Sequence, residues 1–116
     1  MKIVSLLALM MLLVPAALAA TEAQIKTGNT LDNLQAAFNG ESNAHARYVE
    51  FSKKADQEGY GKVASLFRAA ARAEEIHASN HAEVIKKLGG IPNATIETPV
   101  VKTTKDNLEA AIKGET

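Results

Sequence analysis

Residues 30–42 read TLDNLQAAFNGES, and residues 104–116 read TKDNLEAAIKGET. The two stretches are identical at 8 of 13 positions and begin 74 residues apart. A repeat at this spacing indicates that a helix-turn-helix unit of about seventy residues has been duplicated. Two such units give four helices, and the second unit supplies here only the start of its first helix.

The first copy of the repeat opens a long amphipathic segment. No proline occurs between Thr30 and Glu58, and candidate inward residues recur at steps of three and four, which is the helical period. These residues are Leu34, Ala37, Phe38, Glu41, Ala44, His45, Tyr48, Phe51 and Ala55. We predict a helix over about 30–58, with Thr30 as its N-cap and a glycine-rich turn at its end.

A second periodic segment predicts a helix over about 62–88, which ends at Gly89 and Gly90. Its inward stripe includes Leu66 and Phe67. Two long helices joined by so short a turn lie antiparallel. We expect residues 89–103, which contain two prolines, to form an extended connector, and Thr104 to cap a third helix over 104–116. The predicted fold is therefore all-α, namely one half of a four-helix bundle plus the start of a third helix.

Residues 1–19 have the features of a secretory signal peptide. Lys2 precedes an apolar run, and small residues occupy positions 17 and 19. The run is shorter than the roughly 20 residues that span a bilayer, so cleavage after Ala19 is predicted and no membrane anchor is expected. Residues 20–29 would form an N-terminal extension of a protein exported to the bacterial periplasm or the medium.

Charge and cysteine content exclude several classes of function. The 116 residues contain 13 basic and 13 acidic side chains and no cysteine. We expect no nucleic-acid partner, because nucleic-acid binding usually needs a clustered basic face. Disulfides and thiolate metal sites are excluded within these residues, so any bound metal must use other ligands.

Charged residues at inward positions indicate a metal site. Glu41 lies on the inward stripe of helix one, where an unpaired carboxylate is costly to bury. Glu74 and His77 are three residues apart on helix two, so their side chains project together and can bind one metal ion. The repeat places Glu115 where the first copy has Glu41. The alternatives are a surface position for Glu41 and a structural salt link between Glu74 and His77.

Three further side chains lie near these candidates in the sequence. Tyr48 is a candidate to hydrogen-bond a carboxylate ligand, although a buried tyrosine bonded elsewhere fits equally well. His81 lies two turns beyond Glu74, too far along the helix to share its metal, so it is left outside the predicted site. His45 is left outside it as well.

At these residues the chain resembles the rubrerythrin family of ferritin-like diiron proteins. The similar stretches are NLQAAFNGESNAHARY, DQEGYGKVASLF, AEEIHASNHAEVIKKLGG and NLEAAIKGET. The resemblance implies two iron ions bound by Glu41, Glu74, His77 and Glu115, with zinc or manganese as substitutes. It also implies a non-haem peroxidase in oxidative-stress defence, with hydrogen peroxide or dioxygen as substrate.

The chain departs from the family pattern in three respects. It has no cysteine-ligated rubredoxin centre, so electrons must come from an external donor, and it lacks the second Glu-x-x-His. Its signal peptide also predicts a location outside the cytoplasm, which is unusual for the family. The sequence favours a fragment of a longer protein, because it stops inside its third helix, while a homodimer that completes the site is the other explanation. Alternative functions are metal binding or iron storage without turnover, and a metal-free helical interaction module.

Overall fold

The computed structural model describes residues 16–115, with side chains from Thr30 to Gly114. It contains three helices, α1 (Ala16–Gln57), α2 (Gly61–Lys87) and α3 (Thr104–Glu115), and the described residues form no strand. The prediction of an all-α hairpin followed by a third helix is confirmed. None of the helices in this part of the chain has the length and apolar character needed to cross a membrane.

The start of α1 differs from the prediction. The helix begins at Ala16, so Thr30 lies inside it rather than at an N-cap. Residues 16–29 contain no proline, and nothing else in this stretch prevents the backbone from remaining helical. Residues 1–15 of the proposed signal peptide lie outside the described residues, and its cleavage remains a prediction.

Both long helices end at glycines in the left-handed conformation. Gly59 has a φ of 82°. Its N–H donates to the carbonyl of Asp56 at 3.1 Å, and the N–H of Tyr60 donates to Ala55 at 2.8 Å. This pair of bonds is the Schellman motif, which recurs around Gly89 at the end of α2. The predicted glycine breaks are therefore confirmed.

The contact between α1 and α2 is a narrow seam of buried residues spaced three or four apart. Ala55 and Ala64 are completely buried, and such small side chains let the helices approach closely. Phe67 anchors the middle of the seam, with its ring centroid 5.4 Å from Phe51 and 6.0 Å from Tyr48. Aromatic pairs of this kind add roughly 0.5–1.5 kcal/mol each beyond the burial of their area. The seam thus sets the register of the hairpin.

The connector after α2 runs along α1 and is held by three side-chain amides. Gln35, Asn39 and Asn43 lie one helical turn apart, and we call them the amide ladder. Their amides bond the backbone of residues 91, 93, 95 and 97 at donor–acceptor distances of 2.6–3.2 Å. Asn43, for example, donates to the carbonyl of Thr95 and accepts the N–H of Glu97. The extended connector predicted here is therefore fixed to α1.

The N-cap of α3 is Thr103, one residue before the predicted Thr104. The Thr103 hydroxyl oxygen accepts the N–H of Asp106 at 3.2 Å, and the hydroxyl donates to the Asp106 carboxylate at 2.8 Å. This arrangement satisfies an N–H that the first helical turn leaves without a carbonyl partner. Threonines at adjacent positions made the prediction inexact by one residue.

Thr104 instead ties the start of α3 to the end of α1. Its N–H and its hydroxyl both donate to Oε2 of Glu58, at 2.8 and 2.5 Å. These two hydrogen bonds, with help from Lys54, lower the pKa of Glu58 to about 2. The ionised form of Glu58 therefore holds the two helix ends together.

Candidate metal centre

The hairpin brings Glu41 opposite the Glu-x-x-His pair of α2. Glu41 lies 18 residues before Gly59, and His77 lies 18 residues after it, so antiparallel helices place them at the same level. One ligand atom each from Glu41, Glu74 and His77 lies within 4.8 Å of the other two. The structure thus brings together three of the four predicted ligands, and their binding of metal remains a prediction.

The three side chains differ in their exposure to solvent. Glu74 lies on the seam between Ala71 and Ala78, and its side chain is only 12% exposed. Glu41 is 29% and His77 is 55% exposed, so the site is buried on one side and reaches solvent on the other. His77 Nδ1 lies 3.2 Å from Oε2 of Glu74 and 4.0 Å from Oε1 of Glu41.

The chemistry of this donor set fits divalent first-row metals. Carboxylate oxygens and an imidazole nitrogen suit iron, manganese and zinc, whereas soft thiolate ligands are absent from the sequence. A buried carboxylate such as Glu74 is costly unless charge or hydrogen bonds compensate it, and a cation would supply that charge. The residues present therefore fit the kind of metal centre that the family resemblance implies.

Glu115 and Tyr48 complete the set of predicted site residues. Glu115 is the last residue of α3, and its side chain lies outside the described residues, so its place in the site remains a prediction. Tyr48 is 2% exposed and packs in the aromatic cluster of the seam, with the guanidinium of Arg47 5.4 Å from its ring centroid. Its proposed bond to a ligand carboxylate also remains a prediction.

An apolar groove of about 510 Å³ opens beside Glu74. It is lined by Tyr48, Leu66, Phe67, Ala70, Ala73, Glu74, Leu108, Ala111 and Ile112. Leu66 and Ile112 are 60% and 64% exposed, although the helical period of α2 placed Leu66 on its inward stripe. That expectation was wrong for the described residues, because α1 covers only the seam and leaves the adjoining apolar face in contact with solvent.

His81 is closer to the site than the sequence argument allowed. Its Nε2 lies 3.9 Å from Oε1 of Glu41. Along α2, His81 is too far from Glu74 to share its metal, but its relevant neighbour is Glu41 on α1. His45 is directed elsewhere, with Nδ1 2.8 Å from the carbonyl oxygen of Ala71. Counting residues outward from the turn at Gly59 places His77 level with Glu41 and His81 one turn farther along α2.

Comparison with known proteins identifies relatives of this chain. The family model described as Rubrerythrin matches residues 32–116. The chain is 38% identical over 95 residues to nigerythrin of Nitratidesulfovibrio vulgaris, covering 81% of this chain and 47% of the relative. It is 38% identical over 93 residues to rubrerythrin-2 of Clostridium acetobutylicum, covering 78% and 50%. Against rubrerythrin of Porphyromonas gingivalis the identity is 37% over 93 residues, covering 78% and 46%.

The chain thus spans about half the length of the curated relatives that it matches. No solved structure gives a significant match.

Proposed function

Since the chain belongs to the rubrerythrin family, we propose that it reduces hydrogen peroxide at a diiron centre, using electrons from an external donor. The observation that carries this proposal is the convergence of Glu41, Glu74 and His77 within 4.8 Å. Two carboxylates and one imidazole, brought from two helices, match the ligand types of a diiron site in a helical bundle.

The proposed reaction assigns a task to each of these residues. Two iron ions, when bound, supply the two electrons that convert hydrogen peroxide and two protons into two molecules of water. Glu74 provides a negative charge fixed in the seam, which offsets the charge of the cations. Glu41 and His77 hold the exposed side of the site, where a molecule as small as peroxide can enter from solvent.

Three further features belong to the proposal. Electrons enter from a donor outside these 116 residues, because none of them is a cysteine able to hold a thiolate iron centre. A second copy of the chain supplies the remaining ligands, and the open apolar groove beside Glu74 supports such a homodimer. Export to the periplasm or the medium rests on the sequence of residues 1–19 alone.

The test compares two adjacent glutamates of α2. Glu74→Gln removes a proposed ligand, whereas Glu75→Gln alters an exposed carboxylate that pairs with Arg72 at 2.5 Å. Anaerobic titration with ferrous iron, read together with the mass of the oligomer, should show two irons per dimer for the unchanged chain and for Glu75→Gln. Glu74→Gln should lose iron binding and the peroxide consumption seen with an added reductant.

The other outcomes separate the alternatives. Stoichiometric iron without multiple turnovers of peroxide would indicate a binding or storage protein. Iron binding that is equal in both variants would refute the proposed site and leave the glutamates and histidines as a structural salt link.

A further inference from the structure

Two imidazoles of α2 approach the same carboxylate oxygen of α1. Oε1 of Glu41 lies 4.0 Å from Nδ1 of His77 and 3.9 Å from Nε2 of His81. The second of these histidines has no part in the diiron site proposed above. From this geometry we propose that Glu41, His77 and His81 form a mononuclear site for zinc or another late first-row divalent ion.

The spacing of the histidines supports a chelating pair. His77 and His81 are four residues apart, so they project from one face of α2, and two histidines at this spacing on a helix are a known zinc-binding arrangement. Their side chains are 55% and 31% exposed, which leaves both rings room to rotate. Glu41 adds the third donor from the opposite helix.

The distances decide whether one ion can join the three donors. With bonds of about 2.0–2.2 Å, two donors on a tetrahedral zinc ion lie about 3.3 Å apart. The observed separations of 3.9 and 4.0 Å from Glu41 exceed this by about 0.6–0.7 Å. Among the described residues, only Glu41, Glu74 and His77 already have ligand atoms within 4.8 Å of one another, so the exposed rings of His77 and His81 have to rotate toward a shared ion. Water from the solvent side can fill the fourth position.

The donor set also determines which ion is selected. Two nitrogens and one oxygen favour the later divalent ions of the first row over ferrous iron. The site lies entirely on α1 and α2, so it forms without α3 or a second copy. Because His77 has to serve one ion at a time, zinc bound here excludes iron from the proposed diiron centre.

Cobalt(II) is the probe, since its visible spectrum reports tetrahedral coordination, and zinc competition then gives the zinc affinity. In the metal-free full chain, His81→Gln should weaken cobalt and zinc binding by more than about tenfold. Loss of a residue that only supports a ligand typically lowers metal affinity by about 10–100-fold, so loss of a ligand itself should lower it by at least that much. The matched control is His45→Gln, which removes the imidazole at Ala71 and should bind both ions as the unchanged chain does. Circular dichroism verifies that each variant is helical.

A second measurement needs no variant. In nitrogen-15 spectra of the unchanged chain, zinc should shift the ring signals of His77 and His81 and leave those of His45 unchanged. Unaltered His81 signals, or full zinc affinity in His81→Gln, would overturn the inference. If Glu74→Gln loses iron binding but His81→Gln keeps full zinc affinity, only the zinc site is refuted. If Glu74→Gln keeps iron binding but His81→Gln loses zinc affinity, only the proposed diiron function is refuted.

Discussion

Polar side chains on the two sides of α1 have different kinds of bonding partner. Asn39 belongs to the amide ladder and Glu41 to the candidate metal centre. Because they are two residues apart on the helix, their side chains point about 160° away from each other. On the ladder side, neutral amides bond the backbone of the connector. On the other side, Glu41 approaches two histidines of α2, and the neighbouring Glu74 lines an open apolar groove. The hydrogen bonds of the ladder side are all made within the hairpin and its connector. The other side has charged groups that a cation would neutralise and an apolar area that a further helix would cover.

The largest expected effect concerns the boundary between the buried seam and the groove. Phe67 is 3% exposed and contacts two other aromatic rings, so Phe67→Ala should lower the free energy of unfolding by about 3–5 kcal/mol. In the dilute, metal-free monomer, Leu66→Ala, at the neighbouring position that is 60% exposed, should cost far less. Urea unfolding of both variants measures the difference. Similar losses in the monomer would contradict the exposure of Leu66, whereas a cost of Leu66→Ala that rises with protein concentration is what the homodimer proposal requires.

The next effect tests the ladder side. Asn43→Ala removes two hydrogen bonds to the connector and should cost about 1–3 kcal/mol, because a net hydrogen bond contributes about 0.5–1.5 kcal/mol. Hydrogen exchange at the amide of Glu97 should accelerate at the same time. Asn33→Ala, at an exposed amide of the same helix, should leave that exchange rate unchanged. Slow exchange at Glu97 in Asn43→Ala would show that the connector is held by other contacts.

A smaller effect is expected where α3 is tied to α1, and it depends on pH. The folded chain lowers the pKa of Glu58 from 4.5 to about 2, so its stabilisation is complete above pH 4.5 and is lost as the pH falls toward 2. Glu58→Gln should lower the melting temperature at pH 7 and flatten its pH dependence over this window. Glu109→Gln, at an exposed carboxylate of α3, is the control and should retain the slope. An unchanged slope in Glu58→Gln would contradict the assignment.

The smallest effect tests whether the backbone next to Glu41 is open. A Cβ added at Gly40 would meet no atom within 4 Å, so Gly40→Ala should raise the free energy of unfolding by up to about 1 kcal/mol. Gly90→Ala provides the contrast, since its Cβ would lie 2.8 Å from a methyl of Leu31 and should destabilise the chain. Thermal unfolding compares the two, and a loss of stability in Gly40→Ala would indicate that another chain packs there.

The helical hairpin and its core were predictable because short stretches of sequence indicate them. Gly59 and Gly89 end the helices at positions that composition alone indicated, and the steps of three and four located Tyr48, Phe51 and Phe67 in the core. The convergence of Glu41 with His77 follows from the same turn. The start of α1 was not predictable from Thr30, because a capping residue can also be accommodated inside a helix.

Features that depend on pairing between distant segments were missed. Gln35, Asn39 and Asn43 have the composition of a solvent-exposed face, and nothing local shows that a connector more than fifty residues later bonds them. The exposure of Leu66 likewise depends on which helices are present to cover it. The approach of His81 to Glu41 required the register of both helices at once.

The amide ladder also imposes its own length limit, because it joins two structures with different periods. Four residues of helix advance about 6.0 Å, whereas two residues of extended chain advance about 6.6 Å. The mismatch reaches about 1.2 Å between Gln35 and Asn43, which flexible amides absorb, and a fourth member would bring it to about 1.8 Å. The next position one turn on is Arg47, and the last ladder bond is at Glu97. The length of connector that α1 can hold is therefore set by how closely the rise of four helical residues matches the rise of two extended residues.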